Sequence, residues 1–445
     1  MTNTWYLVLL LIAGIGFIIW LTAYKKINAF FALLLAALGI GLLTGIPLDG
    51  IISTLKVGFG HTMEKIGLLI ILGTTLGILL EKTGATISMA NQILKMVHEK
   101  NAPAAIAMIG FLIGLPIFCD SAFIILSGLN HSLVQKTKFK MHLMATVLAT
   151  SLYAVHCLVP PHPGITAAVG IAGGDLGIVM LWGILLAIPA TLVGFVWSKW
   201  RAKKVKSEYI HPEESPEIFT QLPSPVLSFL PVVLPIVLIA AKSVVLLFST
   251  PEAITKNMLL RMMSFTGDPA AALGIGIIIA FALVKKQNKT EIKHWLTEGV
   301  EKAGMILAII ASGGMFGEML QVTGVSKNLG DLLSGLSLGI FFPFLLTAIL
   351  KTSLGSTTVA IITAASLVTP LLPDLGLQSP TEITLAILSM GAGSMMVSHA
   401  NDAYFWVISR FSNLETGVTL KMYSMATLWM GLSVQLIIWA LTILL

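Results

Sequence analysis

Three prolines within four residues, Pro160, Pro161 and Pro163, cut through an apolar run that otherwise extends from about Met141 to Ile171. Each proline lacks a backbone N–H and its ring clashes with the preceding turn, so a regular helix does not continue across them. The run is long enough to cross a bilayer, and the break therefore frees backbone carbonyls and amides at membrane depth. Such groups are tolerated in hydrocarbon only where protein buries them or where they line a polar cavity. His156 and His162 flank the break and favour the cavity. A proline-kinked structural helix with two satisfied histidines is the plainer alternative.

Hydrophobic residues make up 56% of the 445 and charged ones 11%, with a mean hydropathy of +0.92. No soluble domain hides that much apolar surface. The chain reads as an all-α polytopic membrane protein, with the lipid bilayer as its solvent. Its net charge of +6 sits mostly in short loops, the pattern of orientation by the positive-inside rule and not of a nucleic-acid partner. Cys119 and Cys157 lie inside apolar runs and read as packing residues, not a disulfide framework. The run Trp5 to Tyr24 has no basic stretch before it and reads as a span rather than a cleaved signal.

Lys25 and Lys26 place the first loop inside. A second span, Ala29 to Ile46, follows; Asp49 to Lys65, with His61 and Glu64, then reads as too polar to cross, and Ile66 to Leu80 as the crossing segment. Ala102 to Val134 lies between Lys100 and the group Lys136, Lys138 and Lys140, so both its ends face the cytoplasm, whether it forms two short spans or a re-entrant hairpin. The run 338–368 is flanked by Asp331 and Asp374, so both its ends face outward. Lys285 and Lys286 mark an inner loop. The expected division is an N-terminal helix (1–28), a first transport repeat (29–198), a cytoplasmic linker (199–223), a connecting helix with an external loop (224–268) and a second repeat (269–445). The count comes to roughly 12 to 14 membrane segments.

The two halves echo each other. Ala36-Ala37-Leu38-Gly39-Ile40-Gly41 recurs as Ala271-Ala272-Leu273-Gly274-Ile275-Gly276, and Glu64-Lys65-x-Gly67 as Glu301-Lys302-x-Gly304. Gly77, Leu80, Thr83 and Gly84 recur as Gly317, Leu320, Thr323 and Gly324; Asp120-Ser121 falls opposite Ser356-Thr357, and His156 opposite His399. The order is kept at an offset of about 240 residues. The lysine pattern gives the halves opposite orientation, which predicts an inverted-topology repeat with paired re-entrant hairpins and broken helices. In secondary transporters that arrangement puts the substrate at the midplane, where the repeats meet.

Three motifs carry a resemblance to a known family: His156-x3-Pro160-Pro161-His162-Pro163-Gly164, Gly355-Ser356-Thr357-Thr358-Val359-Ala360, and Ser398-His399-Ala400-Asn401-Asp402-x2-Phe405-Trp406. In combination, and over nearly the whole chain, the sequence resembles the gluconate permeases, or gluconate:proton symporters. The resemblance implies uptake of gluconate or a related sugar acid, or in one branch D-serine, by a larger fold that forms dimers. Thr357 stands where many relatives carry Ala, and Cys119-Asp120-Ser121 where several carry a Glu-containing motif.

The residues themselves point to the same chemistry. Asp120 follows an apolar run and Pro116; its charge is costly there unless neutralised, solvated or paired, so it reads either as a desolvated proton carrier or as a hairpin-tip cap. Asp402, beside Asn401 in a second break, invites the same two readings. Ser121, Ser356, Thr357, Thr358 and Asn401 supply hydroxyls and an amide for an anionic polyol, or else pack and back-bond. Lys351 either attracts the substrate carboxylate or snorkels to the outer interface. His156 and His399 titrate in the range a proton-coupled carrier uses, and His162 is placed to bond substrate hydroxyls. The expected site thus comprises Asp120, Ser121, His162, Ser356, Thr357, Thr358, Asn401 and Lys351 for substrate, with Asp120, His156, His399 and Asp402 for the proton. No metal-ligand pattern, cofactor motif or nucleotide loop is present, so an ion gradient, H+ first and Na+ second, is the expected energy source. An intramembrane enzyme using His156, Asp120 or Asp402 explains the polar residues but not the repeat.

Overall fold

The computed structural model of the protein describes residues 4–96, 101–205, 222–249, 251–284, 290–323 and 338–444. These contain helices and no strand. Lys100, Lys285, Lys286, Gly324, Asp331 and linker residues 206–221 lie outside them. In order, α1 is Thr4–Ile19, α2 Ala29–Leu43, α3 Leu48–Lys82, α4 Ala85–Met96, α5 Ala102–Gly114, α6 Cys119–Lys136, α7 Met141–Leu158, α8 Pro163–Ala172 and α9 Leu176–Ala202. The second half holds α10 Pro225–Phe248, α11 Pro251–Lys256, α12 Met258–Thr266, α13 Pro269–Phe281, α14 Ile292–Val322, α15 Phe341–Leu354, α16 Thr357–Val368, α17 Pro380–Met395, α18 Ala403–Phe411, α19 Thr416–Thr419 and α20 Met425–Leu444. Among the described residues six helices are long and apolar enough to cross a membrane, or seven if the pair Met258–Thr266 and Pro269–Phe281, bent by 73°, is one span.

The segment Asp49 to Lys65 is helical and runs without a break into the apolar stretch Ile66 to Leu80. It is the first half of α3, a 35-residue helix about 52 Å long, well beyond the roughly 30 Å hydrocarbon core. Thr54 and Thr62 donate to the carbonyls of Gly50 and Gly58, each at 2.9 Å, keeping their hydroxyls satisfied within the helix. α14 lies antiparallel along it, and the contact is built from small residues. A Cβ on Gly314 would lie 2.6 Å from the Gly58 carbonyl oxygen, and one on Gly299 would lie 2.7 Å from the Thr75 hydroxyl. Close backbone approach of this kind is how helices associate where the hydrophobic effect gives no drive. At the far end Glu298 meets Lys82 at 3.4 Å and Lys302 at 3.0 Å.

The external loop expected within 224–268 is also more ordered than a loop. Asn257 accepts from the N–H groups of Leu259 and Leu260 and so starts α12. Asp268 caps α13 through the Ala270 N–H and holds Lys242 at 3.2 Å.

Two helical hairpins and two broken helices fill the interior. α5, α15 and α16 have 13, 14 and 12 residues, about 18 to 21 Å of rise, less than a hydrocarbon core is thick; each is an arm of a helical hairpin. α5 and α6 join at residues 115–118, α15 and α16 at Gly355-Ser356. The first break separates α7 from α8, with the Pro160–Pro161 peptide cis. Pro163 sits at the first position of α8, where its missing N–H costs nothing. The most apolar stretch of this broken span is entirely buried, so its freed backbone meets protein and not lipid. α8 and α16 run side by side, with Gly164 against Thr358 and Ile361. The second break, residues 396–402, separates α17 from α18.

Candidate functional site

The tip of the second hairpin rests on the second break. Gly355 has φ +77°, the left-handed region, and its Cα faces the Asn401 backbone so closely that a Cβ would collide with it. Only glycine meets both demands. Ser356 then caps α16 by accepting from the Val359 N–H. Across the contact, Val397 takes φ +46°, a conformation β-branched residues rarely adopt.

Lys351, in the last turn of α15, is 0% exposed. It does not snorkel to an interface, because its partners lie inside. The ammonium donates to Asp402 Oδ2 at 2.6 Å and to the Gly355 carbonyl at 2.8 Å. Asp402 Oδ2 also accepts from Ser398 Oγ, and Oδ1 accepts from the Tyr404 N–H at 3.0 Å. Asp402 is therefore both the cap of α18 and the counter-ion of a buried lysine. A carboxylate so saturated offsets much of the desolvation that an ion pair in the interior costs.

Tyr153, on α7, links this pair to the first break. Its hydroxyl donates to the Ser394 carbonyl at 3.1 Å, and Thr357 Oγ1 lies 2.8 Å away; with the tyrosine proton so used, Thr357 donates. The Tyr153 ring packs on Tyr404 (5.8 Å between centroids), Tyr423 (5.9 Å) and His156 (6.4 Å), and the Lys351 ammonium lies 5.9 Å from its centre. His156 stacks edge-on to His162 at 4.8 Å, and its Nδ1 is buried without a hydrogen-bond partner.

Several expected ligands are committed elsewhere. His162 is 3% exposed and its Nε2 donates to the Gly114 carbonyl at 2.7 Å, tying the first break to the end of α5. Ser356 is a cap and Thr357 is spent on Tyr153. Asp120 stands in the first turn of α6 with its side chain exposed. Ser121 and Thr358 are partly exposed; Asn401 is exposed and donates to the Thr352 carbonyl at 2.6 Å. His399 is partly exposed, and the ring contacts of His156 are with Phe118, Tyr153 and His162, not with His399.

Sequence reasoning passed over Tyr153, which stands three residues before His156 and so shares its helical face, and Tyr404, two residues after Asp402. It also missed a polar cavity of about 310 Å³ between α3, α14 and the far ends of α8 and α16. His61, Thr62, Lys65, Glu318 and Gln321 line it, which is why a polar stretch of α3 is helical.

Short hairpin arms, interrupted spans and a buried ion pair where they meet define the architecture of a multi-pass membrane transporter. The comparisons agree. The chain belongs to the GntP family of permeases, whose profile matches residues 5–444. It is 33% identical over 427 residues to an uncharacterized permease of Haemophilus influenzae, covering 91% of this chain and 86% of that one. With the high-affinity gluconate transporter of Escherichia coli it shares 31% over 425 residues, 94% of this chain and 95% of the other. The Alcanivorax borkumensis YdaH transporter shares the fold, with a TM-score of 0.65 at 13% identity over 92% of this chain and 96% of that chain.

Proposed function

We propose that this permease imports gluconate or a closely related sugar acid by proton symport and alternating access. The observation that carries the reading is the buried Lys351–Asp402 pair joining hairpin tip to broken helix. When a proton from outside neutralises Asp402, Lys351 keeps its charge and loses its counter-ion. The carboxylate of a sugar acid takes that place. Loss of the proton to the cytoplasm restores Asp402, which reclaims the ammonium and displaces the substrate; one proton and one carboxylate travel together. Ser121, Thr358 and Asn401 are the accessible groups left to bond substrate hydroxyls, and exposed Asp120 and the unpartnered Nδ1 of His156 are further stations for the proton. The gluconate transporter among the relatives supports the substrate class. The shared order of long helix, hairpin and broken helix in the two halves supports an inverted repeat, with the site where the repeats meet.

The test is uptake of labelled gluconate into proteoliposomes under an inward proton gradient in sodium-free buffer. Accumulation should collapse with a protonophore and be competed by unlabelled sugar acids. A requirement for sodium would remove the proton from the scheme, and failure of gluconate to compete would remove the substrate.

A further inference from the structure

Away from the transport site, the ends of α5, α7 and α9 border an open surface cavity of about 460 Å³. Lys138, Lys140, Lys199 and Lys203 line it, and among the described residues no acidic side chain does. None of these four lysines has a carboxylate within ion-pair distance among the described residues. Four like charges converging on one concavity repel one another, and an anion inside it removes that repulsion.

The surroundings say which anion. Phe139 and Phe195 form apolar walls, so the cavity is amphipathic and not a purely aqueous pit. Beside it, just past the end of α9, the Lys204 ammonium lies 4.1 Å from the centre of the Trp200 ring, and tryptophan with lysine marks the headgroup level of a bilayer. By the positive-inside rule this is the cytoplasmic face, and basic pockets between membrane helices on that face suit acidic headgroups. The cavity is also held in shape: the His142 ring nitrogen Nε2 lies 3.3 Å from the Ala202 carbonyl, fastening the start of α7 to the end of α9.

We propose that this cavity binds the phosphate of an anionic phospholipid of the inner leaflet, with the lysines on the phosphate and the acyl chains along Phe139 and Phe195. A lipid seated there braces the inner end of α7, the helix that carries Tyr153 and His156 to the first break. The site is independent of the substrate assignment.

The experiment titrates the full-length protein, in neutral detergent, with phosphatidylglycerol, with phosphatidylcholine and with inorganic phosphate, reading retained lipid by native mass spectrometry. Wild type should hold phosphatidylglycerol over phosphatidylcholine, with retention falling as salt rises. The quadruple variant K138Q/K140Q/K199Q/K203Q should lose affinity by roughly tenfold or more, since each surface lysine adds to the attraction. The matching quadruple Arg variant, which keeps the charge, should retain it, and gel filtration of both variants checks that they fold. Equal retention of phosphatidylglycerol by wild type and a folded Gln variant overturns the proposal. So does a Gln variant that fails to fold while the Arg variant shows no preference for phosphatidylglycerol, and so does equal saturation by inorganic phosphate, which would make the cavity a soluble-anion site.

Discussion

Burying an ammonium group costs several kcal/mol unless a carboxylate and further hydrogen bonds meet it, and Lys351 has both, in Asp402 and the Gly355 carbonyl. Removing one partner is therefore far more damaging than removing both. Lys351→Met should destabilise the protein by about 3 to 5 kcal/mol by stranding Asp402, and combining it with Asp402→Leu should recover most of that loss without recovering transport. Thermal unfolding in detergent, beside gluconate uptake, measures the two effects. A single variant as stable as wild type contradicts the pairing. Tyr153→Phe removes a hydroxyl that joins the Ser394 carbonyl to Thr357. It should cost about 1 to 3 kcal/mol in stability, the range for an unsatisfied buried partner, and weaken apparent gluconate affinity because Thr357 is no longer held. Unchanged unfolding and unchanged affinity would make the hydroxyl incidental.

At the scale of elements the turns carry the specificity. Gly355→Ala must place a side chain in the left-handed region, at about 1 to 2 kcal/mol, and must also push against the Asn401 backbone; transport should fall before the fold is lost. Normal uptake by this variant would show that the tip need not seat on the second break. Ser379 and Glu382 form a capping box at the start of α17. Hydrogen bonds from Ser379, backbone first, hold the Glu382 carboxyl below its ordinary range. A depressed carboxylate stabilises above its unfolded pKa, and that contribution fades as pH falls through the lower folded value; it is small here because the side chain is well solvated. Ser379→Ala should cost about 1 kcal/mol, with the difference from wild type shrinking in acid, as unfolding measured across pH will report. The breaks themselves were legible in the sequence, since proline runs and polar residues inside apolar spans are local signals. The length of α3 was not: His61, Glu64 and Lys65 made the stretch read as too polar to cross when nothing showed that His61 and Lys65 border a polar cavity. Nor was the Lys351 partnership, whose partner lies 51 residues further on and is reached only when hairpin and break pack together.

In the proposed transport cycle of the whole molecule, the Lys351–Asp402 pair opens when a proton arrives and closes when it leaves, so that the proton gradient drives the sugar acid. Asn at position 402 keeps one acceptor oxygen to cap α18 at the Tyr404 N–H and, like the protonated acid, leaves Lys351 without a counter-ion, but it cannot release a proton inside. The direct measurement is gluconate transport by Asp402→Asn in proteoliposomes, with uphill accumulation under a proton gradient set beside counterflow at equal pH. The account predicts that counterflow survives, since exchange needs only the loaded state to reorient, and that uphill accumulation is lost. Full gradient-driven accumulation by Asp402→Asn would contradict it.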